Sequence, residues 1–264
     1  MKRGIPVLMY HHVNPRGNFI NVTPERFEKQ MEYLAKRGYK TLNTKELYEI
    51  LHSGREIDHK TLMITFDDGW LDNYLFAFPI LKKYSLKAVI FVVTSWIKER
   101  GIRKERIELP SHRECVELVK EGRAGEVMLS WDEIRQMEAS GLVDIQSHTH
   151  SHRRWKKEMN EVEQKEFLMK DLSISKKTIE DRLGKTCNAL CWPWGDNSEL
   201  SREIALKAGY RMLFTTEKGT NHTAADLLGI KRVVIGNIGV QSLGKKLFIH
   251  SRPLISKLYL WIFG

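Results

Sequence analysis

Thr61-Leu62-Met63-Ile64-Thr65-Phe66-Asp67-Asp68-Gly69-Trp70 is the stretch that decides the fold. It begins as an apolar run with no polar alternation, the signature of a strand covered on both faces in a parallel sheet. It closes on two adjacent carboxylates. One aspartate would suffice to cap a following helix. Two side by side repel each other unless a cation lies nearby. The same design returns at Leu142-Val143-Asp144-Ile145, which leads through Gln146 into Ser147-His148-Thr149-His150-Ser151-His152. On a regular strand the three histidines would share one face; a turn near Thr149 would bring His148 and His152 together and swing His150 away. Carboxylate and imidazole are the ligands that a catalytic zinc accepts.

Outward from these segments, strands and helices alternate along the chain. Strands are expected at residues 6–11, 39–42, 61–66, 88–93, 142–147, 188–192, 211–215 and 232–235, with helices at 24–36, 44–52, 71–84, 131–139, 160–183 and 198–208. Pro79 should kink or break the third of these helices. Such alternation predicts an α/β fold, a parallel sheet with helical crossovers, and eight strands favour a closed or nearly closed barrel. His11, Asp67, Asp68, His148, His152 and the Trp192-Pro193-Trp194-Gly195-Asp196 segment all fall at C-terminal ends of strands, the face that carries the active site in β/α barrels. Residues 98–129 break the rhythm and read as a lid-like helical insertion in a catalytic barrel spanning 1–240.

Strand alternation sends one of His11 and His12 inward, as a candidate general acid. Trp192 and Trp194 could form a floor on which a sugar ring stacks. Asp196 with Glu199 reads as a capping box for the next helix.

Composition sets the bounds. The 264 residues carry a net charge of +10 and only three cysteines, Cys115, Cys187 and Cys191. So sparse and odd a count is no disulfide framework and predicts buried, reduced thiols. No window is apolar enough to span a bilayer, and no leader precedes the first strand, so a cytoplasmic enzyme is expected. No nucleic-acid-binding signature accompanies the positive charge. The basic, aromatic tail at 241–264 suits either an interfacial helix at the inner face of the membrane or a helix packed under the barrel.

Together, Thr65-Phe66-Asp67-Asp68-Gly69, Ser147-His148-Thr149-His150-Ser151-His152 and Trp192-Pro193-Trp194-Gly195-Asp196 resemble the polysaccharide deacetylases of carbohydrate esterase family 4, in matching order. The resemblance implies a distorted, TIM-like (β/α) barrel of seven or eight strands. It implies Asp67 as catalytic base and Asp68, His148 and His152 as ligands of one divalent metal, zinc by default, with Co2+, Ni2+ or Fe2+ as alternatives. The opening Pro6-Val7-Leu8-Met9-Tyr10-His11-His12 resembles the branch that contains poly-N-acetylglucosamine deacetylases, where the acid histidine lies near the N-terminus; this selects His11. Pro193 and Trp194 would form the oxyanion segment, Trp194 through its backbone N–H. Cys191 stands where many members carry an arginine that touches the base.

The implied activity is hydrolysis of N-acetyl groups on an amino-sugar glycan, with release of acetate. The alternatives are a deacetylase or deformylase of a lipid-linked sugar in envelope glycan synthesis, and an inactive carbohydrate-binding barrel.

Overall fold

The computed structural model describes residues 3–18, 20–103 and 109–264; part of the 98–129 insertion therefore lies outside the described residues, as does the start of the chain. The strands are β1 (Val7–Tyr10), β2 (His12–Val13), β3 (Asn21–Val22), β4 (Lys40–Thr41), β5 (Thr61–Phe66), β6 (Ala88–Val92), β7 (Val143–Ser147), β8 (Ala189–Cys191), β9 (Met212–Phe214) and β10 (Val233–Val234). The α-helices are α1 (Pro24–Lys36), α2 (Thr44–Ser53), α3 (Phe78–Tyr84), α4 (His112–Lys120), α5 (Trp131–Ala139), α6 (Trp155–Glu158), α7 (Glu161–Leu183), α8 (Glu199–Lys207), α9 (Val240–His250) and α10 (Pro253–Phe263).

Seven strands follow one another in the order β10-β1-β5-β6-β7-β8-β9, all parallel, and β4 pairs with the first two residues of β5. β5 lies inside the sheet, between β1 and β6, and all six of its residues are buried. The sheet curls into a barrel with an open seam. Between the edge strands β9 and β10 a single bridge, Phe214 to Ile230, replaces a ladder.

Side-chain parity sorts the core into two layers. Val7, Met63, Val89, Phe91, Ala189, Cys191, Met212 and Phe214 fill the barrel interior. Leu8, Tyr10, Leu62, Ile64, Phe66, Ile90, Leu190 and Leu213 face the surrounding helices. This is the period-two alternation of a strand applied to a sheet with two apolar faces. At the N-terminal ends of the strands the interior turns polar. Asp144 accepts hydrogen bonds from Thr44 (2.5 Å to Oγ1) and Gln146 (2.9 Å), and pairs with Lys185 (2.5 Å), which also reaches Glu138.

Local chemistry explains most boundaries. Thr23 caps α1 and accepts from Arg26 N–H, with Pro24 at the first turn. Asn43, Ser111, Ser130 and Asn160 close reciprocal capping boxes on α2, α4, α5 and α7. One expectation needs correction. The cap of α8 is Ser198 with Ser201, while Asp196 pairs instead with Lys156 at 3.3 Å. The helix after Asp68 starts at residue 71 as expected and runs to Tyr84, with a π-helical turn at Asn73–Ala77 just ahead of Pro79 marking the irregularity expected there.

Candidate active site

Asp67 and Asp68 follow β5 directly, and the chain then reverses. Asp68 adopts φ +75° and Gly69 φ +88°. A Cβ on Gly69 would also lie 3.1 Å from Val92, so the turn depends on glycine. Five non-glycine residues among those described have positive φ. Four of them are Asp68, Thr149, His152 and Trp194, all at this end of the barrel. Such conformations cost about 1–3 kcal/mol each and persist where the surroundings enforce them, often at functional sites.

The left-handed turn at Thr149 brings His148 and His152 to the same carboxylate. Their Nε2 atoms lie 3.4 and 3.5 Å from Asp68 Oδ1. Ligand atoms about 2.0–2.2 Å from a tetrahedral ion are separated by about 3.3–3.6 Å, so each histidine already stands at ligand spacing from the carboxylate oxygen, and all three ligand atoms lie within 4.8 Å of one another. Outer contacts hold each group in place. His148 Nδ1–H donates to the Cys191 carbonyl at 2.8 Å, which leaves the Nε2 lone pair toward the site. Trp70 Nε1–H donates to Asp68 Oδ2 at 2.8 Å, leaving Oδ1 to the histidines. Burial pushes His152 down to about 4, against the pull of Asp68, so it stands neutral at pH 7. The donor set therefore fits a divalent cation. His150 is turned away: its Nδ1 meets Thr94 Oγ1 at 2.9 Å, and its backbone N–H donates to Asp171.

His148→Ala and His152→Ala are each expected to lower bound metal from about one ion per chain to near zero, since two ligands hold a divalent ion poorly. Elemental analysis of the purified variants checks this; unchanged metal content in both would remove them as ligands.

Asp67 points into the barrel beside this cluster, and its partner is a residue that sequence reasoning missed. Arg232, just before β10, is completely buried and grips both carboxylate oxygens, Nη1 to Oδ1 at 2.7 Å and Nη2 to Oδ2 at 2.8 Å. Its Nε–H donates to the Thr215 carbonyl at 2.7 Å, so the guanidinium also ties the β9 end to the β10 side of the seam. Burial pushes the Asp67 carboxyl up, but Arg232, with His148 and His11, holds it below the usual carboxylate range. Cys191 contributes a thiol 3.7 Å from Asp67 Oδ1. The arginine comes from the far side of the seam, more than a hundred residues away in sequence, and nothing local to Arg232 marks it.

His11 and His12 separate as alternation requires. His11 Nε2 faces the cavity, 3.9 Å from Asp67 Oδ2. Burial lowers its pKa, with Asp67 and Asp68 pulling the other way. His12 is buried, donates to Asp72 at 2.6 Å, stacks on Trp70 at 4.5 Å between centroids, and reaches His112 at 3.0 Å. His12→Ala is thus expected to cost stability, and His11→Ala to lower kcat by about 10²–10⁴ with little change in Tm. A larger kcat loss in His12→Ala would reverse the assignment.

The mouth is a cavity of about 650 Å³ with Trp70, Trp96 and Trp194 in its walls and Val116 and Val119 of α4 along one side. Trp194 is 50% exposed, stands 4.9 Å from the His152 ring, and has the Arg154 guanidinium over it at 3.8 Å. Of the two tryptophans expected in a stacking floor, Trp192 borders the cavity but has no exposed ring face. It shares parity with Leu190, is 0% exposed, and packs on Trp155 at 5.7 Å. Pro193 is buried at the turn that presents Trp194.

Comparison with known proteins agrees with this geometry. The family model described as polysaccharide deacetylase matches residues 54–213. YxkH of Bacillus subtilis, named as a polysaccharide deacetylase, is 30% identical over 229 residues, covering 87% of this chain and 70% of its own length. Poly-β-1,6-N-acetyl-D-glucosamine N-deacetylases of Escherichia coli and Staphylococcus aureus are each 24% identical; the chain spans 37% of the length of the former and 81% of the latter. The solved structure of the Streptococcus pyogenes deacetylase PplD in complex with acetate superimposes with a TM-score of 0.75 at 25% identity, covering 94% of this chain and 99% of that one.

Proposed function

The chain belongs to the polysaccharide deacetylase family, and from that premise we propose that it hydrolyses the N-acetyl groups of a β-1,6-linked N-acetylglucosamine polymer, releasing acetate. The observation that carries this reading is the joint placement of two adjacent carboxylates. Asp68 stands with His148 and His152 in a ligand cluster, and Asp67 stands beside it, ionised by Arg232 and 3.9 Å from His11. A binding barrel would have no use for a base held ionised beside a metal cluster. The substrate class is supported by the N-terminal position of His11 and by the names of the Escherichia coli and Staphylococcus aureus relatives.

Asp68, His148 and His152 would hold the divalent metal, for which zinc is our proposal from the mixed nitrogen and oxygen donors. Such an ion supplies Lewis acidity that makes water a nucleophile at neutral pH and polarises a carbonyl. Asp67 accepts the proton of the attacking water; its ion pair with Arg232 keeps the carboxylate free of a proton for that task. The Trp194 backbone N–H stabilises the developing oxyanion, for which one donor is worth about 3–4 kcal/mol. His11, on the cavity wall, donates a proton to the departing sugar amine. The exposed Trp194 ring offers an apolar face to the pyranose, with the Arg154 guanidinium behind it.

Acetate release from β-1,6-linked and β-1,4-linked N-acetylglucosamine oligomers, with and without chelator, tests the proposal. Chelator-sensitive release that favours the β-1,6 oligomers is expected. Release from neither series after zinc is restored, or release indifferent to chelator, would refute it.

A further inference from the structure

Helices α9 and α10 take no part in the site, and they carry a surface of a different kind. No aspartate or glutamate follows Asp226 in the sequence, whereas Lys245, Lys246, Arg252 and Lys257 lie on these helices or the turn between them. None of these four cations forms an ion pair among the described residues. Cations stand near them too: Lys218 lies close enough to Lys246, and Arg3 to Arg252, to disfavour the charge on Lys246 and on Arg252.

α9 buries Leu243, Leu247 and Ile249 in the domain. α10 is attached along one edge only. Ser256 Oγ meets His250 Nδ1 at 2.9 Å, and the Tyr259 ring lies edge-on to His250 at 6.2 Å. The opposite face of α10 is bare. Leu254 is 70% exposed, Leu258 57%, Trp261 83% and Phe263 70%, with Ile262 beside them. Leu254, Leu258, Trp261 and Ile262 recur at helical spacing and so form one stripe. Phe248 of α9 is exposed as well, under the Arg252 guanidinium at 3.8 Å.

We infer that this cation-flanked apolar stripe on α10 seats the protein on the surface of an anionic lipid bilayer. The choice of occupant follows from charge complementarity. Uncompensated lysines and arginines around Leu, Ile, Phe and Trp match a headgroup layer above acyl chains. Tryptophan at the tip suits that boundary in particular. An eleven-residue helix extends about 16 Å, half a hydrocarbon core, so it lies in the interface and does not span. Among the described residues no helix is long and apolar enough to cross.

The placement has a consequence for the substrate. The Ser251 carbonyl, at the turn before α10, accepts a hydrogen bond at 3.1 Å from Gly4 N–H, just ahead of β1. α10 therefore starts at the end of the barrel opposite the catalytic mouth. α10 is thus anchored away from the mouth, which stays open to its substrate.

Co-sedimentation of the full chain with mixed phosphatidylcholine–phosphatidylglycerol vesicles, against phosphatidylcholine alone, tests the inference without reference to catalysis. Partitioning to the anionic vesicles at least about tenfold stronger is expected, weakening as salt rises. The double variant Leu258→Glu/Trp261→Glu should lose it by about tenfold or more, with an unchanged circular-dichroism melt because both side chains are exposed in the parent. Equal sedimentation of parent and variant would overturn the assignment. So would a parent that ignores both vesicle types yet forms a dimer that the same substitutions dissociate.

Discussion

Asp67→Asn is expected to lower kcat/KM by about 10²–10⁴ while leaving the bound metal in place. The fall is that of a lost general base; the metal stays because the ligands proposed are Asp68, His148 and His152, and not the alternative grouping of Asp67 with His148 and Cys191. The substitution is nearly isosteric, so the pocket keeps its shape. It does leave Arg232 buried beside a neutral amide, and breaking a buried pair costs about 3–5 kcal/mol. Lost activity alone could thus be blamed on a damaged fold. The double variant Asp67→Asn/Arg232→Met separates the two effects, because it removes both charges. Part of the lost Tm should return while activity stays absent. Recovery of activity along with Tm would show that Asp67 serves the fold and not the chemistry, and loss of metal in Asp67→Asn would make it a ligand.

Arg232→Met should move the acid limb of the kcat/KM profile upward by about 1–3 pH units. Asp67 is buried, and burial by itself favours its protonated form. The bidentate guanidinium is the largest opposing influence. Without it the base is protonated over a wider range, so activity at neutral pH falls and returns in part at alkaline pH. Arg232→Lys should lie between the two, since an ammonium restores charge but not the two-point grip. Stability should respond with the opposite sign in parent and variant. In the parent the folded Asp67 pKa lies below the unfolded value of about 3.9, so its contribution is present above that pH and fades as pH falls through the folded pKa. In the variant the folded value rises above the unfolded one, and stability is lost as pH increases through that window. A pH–rate profile identical to the parent's would exclude Arg232 as the group that tunes the base.

Parity decides which of two neighbours faces the barrel interior. Counting from Val7, odd positions of β1 face the barrel interior, which takes His11 to the site and His12 into the outer layer against Trp70. The same count along β8 puts Cys191 inside and Trp192 outside with Leu190. Trp192 therefore reaches only the border of the cavity and leaves the exposed aromatic face to Trp194. The capping of α8 went astray for another reason. Asp196 and Ser198 are both good caps, and the choice fell to Ser198 once Lys156 was close enough to engage Asp196.

The sequence by itself determined the parallel α/β fold and the polar segments at the strand ends. It also supplied three closely spaced histidines, of which the left-handed turn at Thr149 brings His148 and His152 to Asp68. These are encoded over short distances: an unbroken apolar run, a cap, three histidines within five residues. Tertiary structure alone decided what holds the catalytic carboxylate and what remains uncovered. Arg232 reaches Asp67 only because the sheet curls until its edge strands nearly meet, a contact across 165 positions that no local signal encodes. The tail shows the same division. Its apolar residues read equally well as core or as surface, and only the packing of α10 against α9 along one edge left the other face bare. Strand and helix periodicity specify which residues share a face; how far the sheet curls and which helix faces find partners depend on the assembled whole.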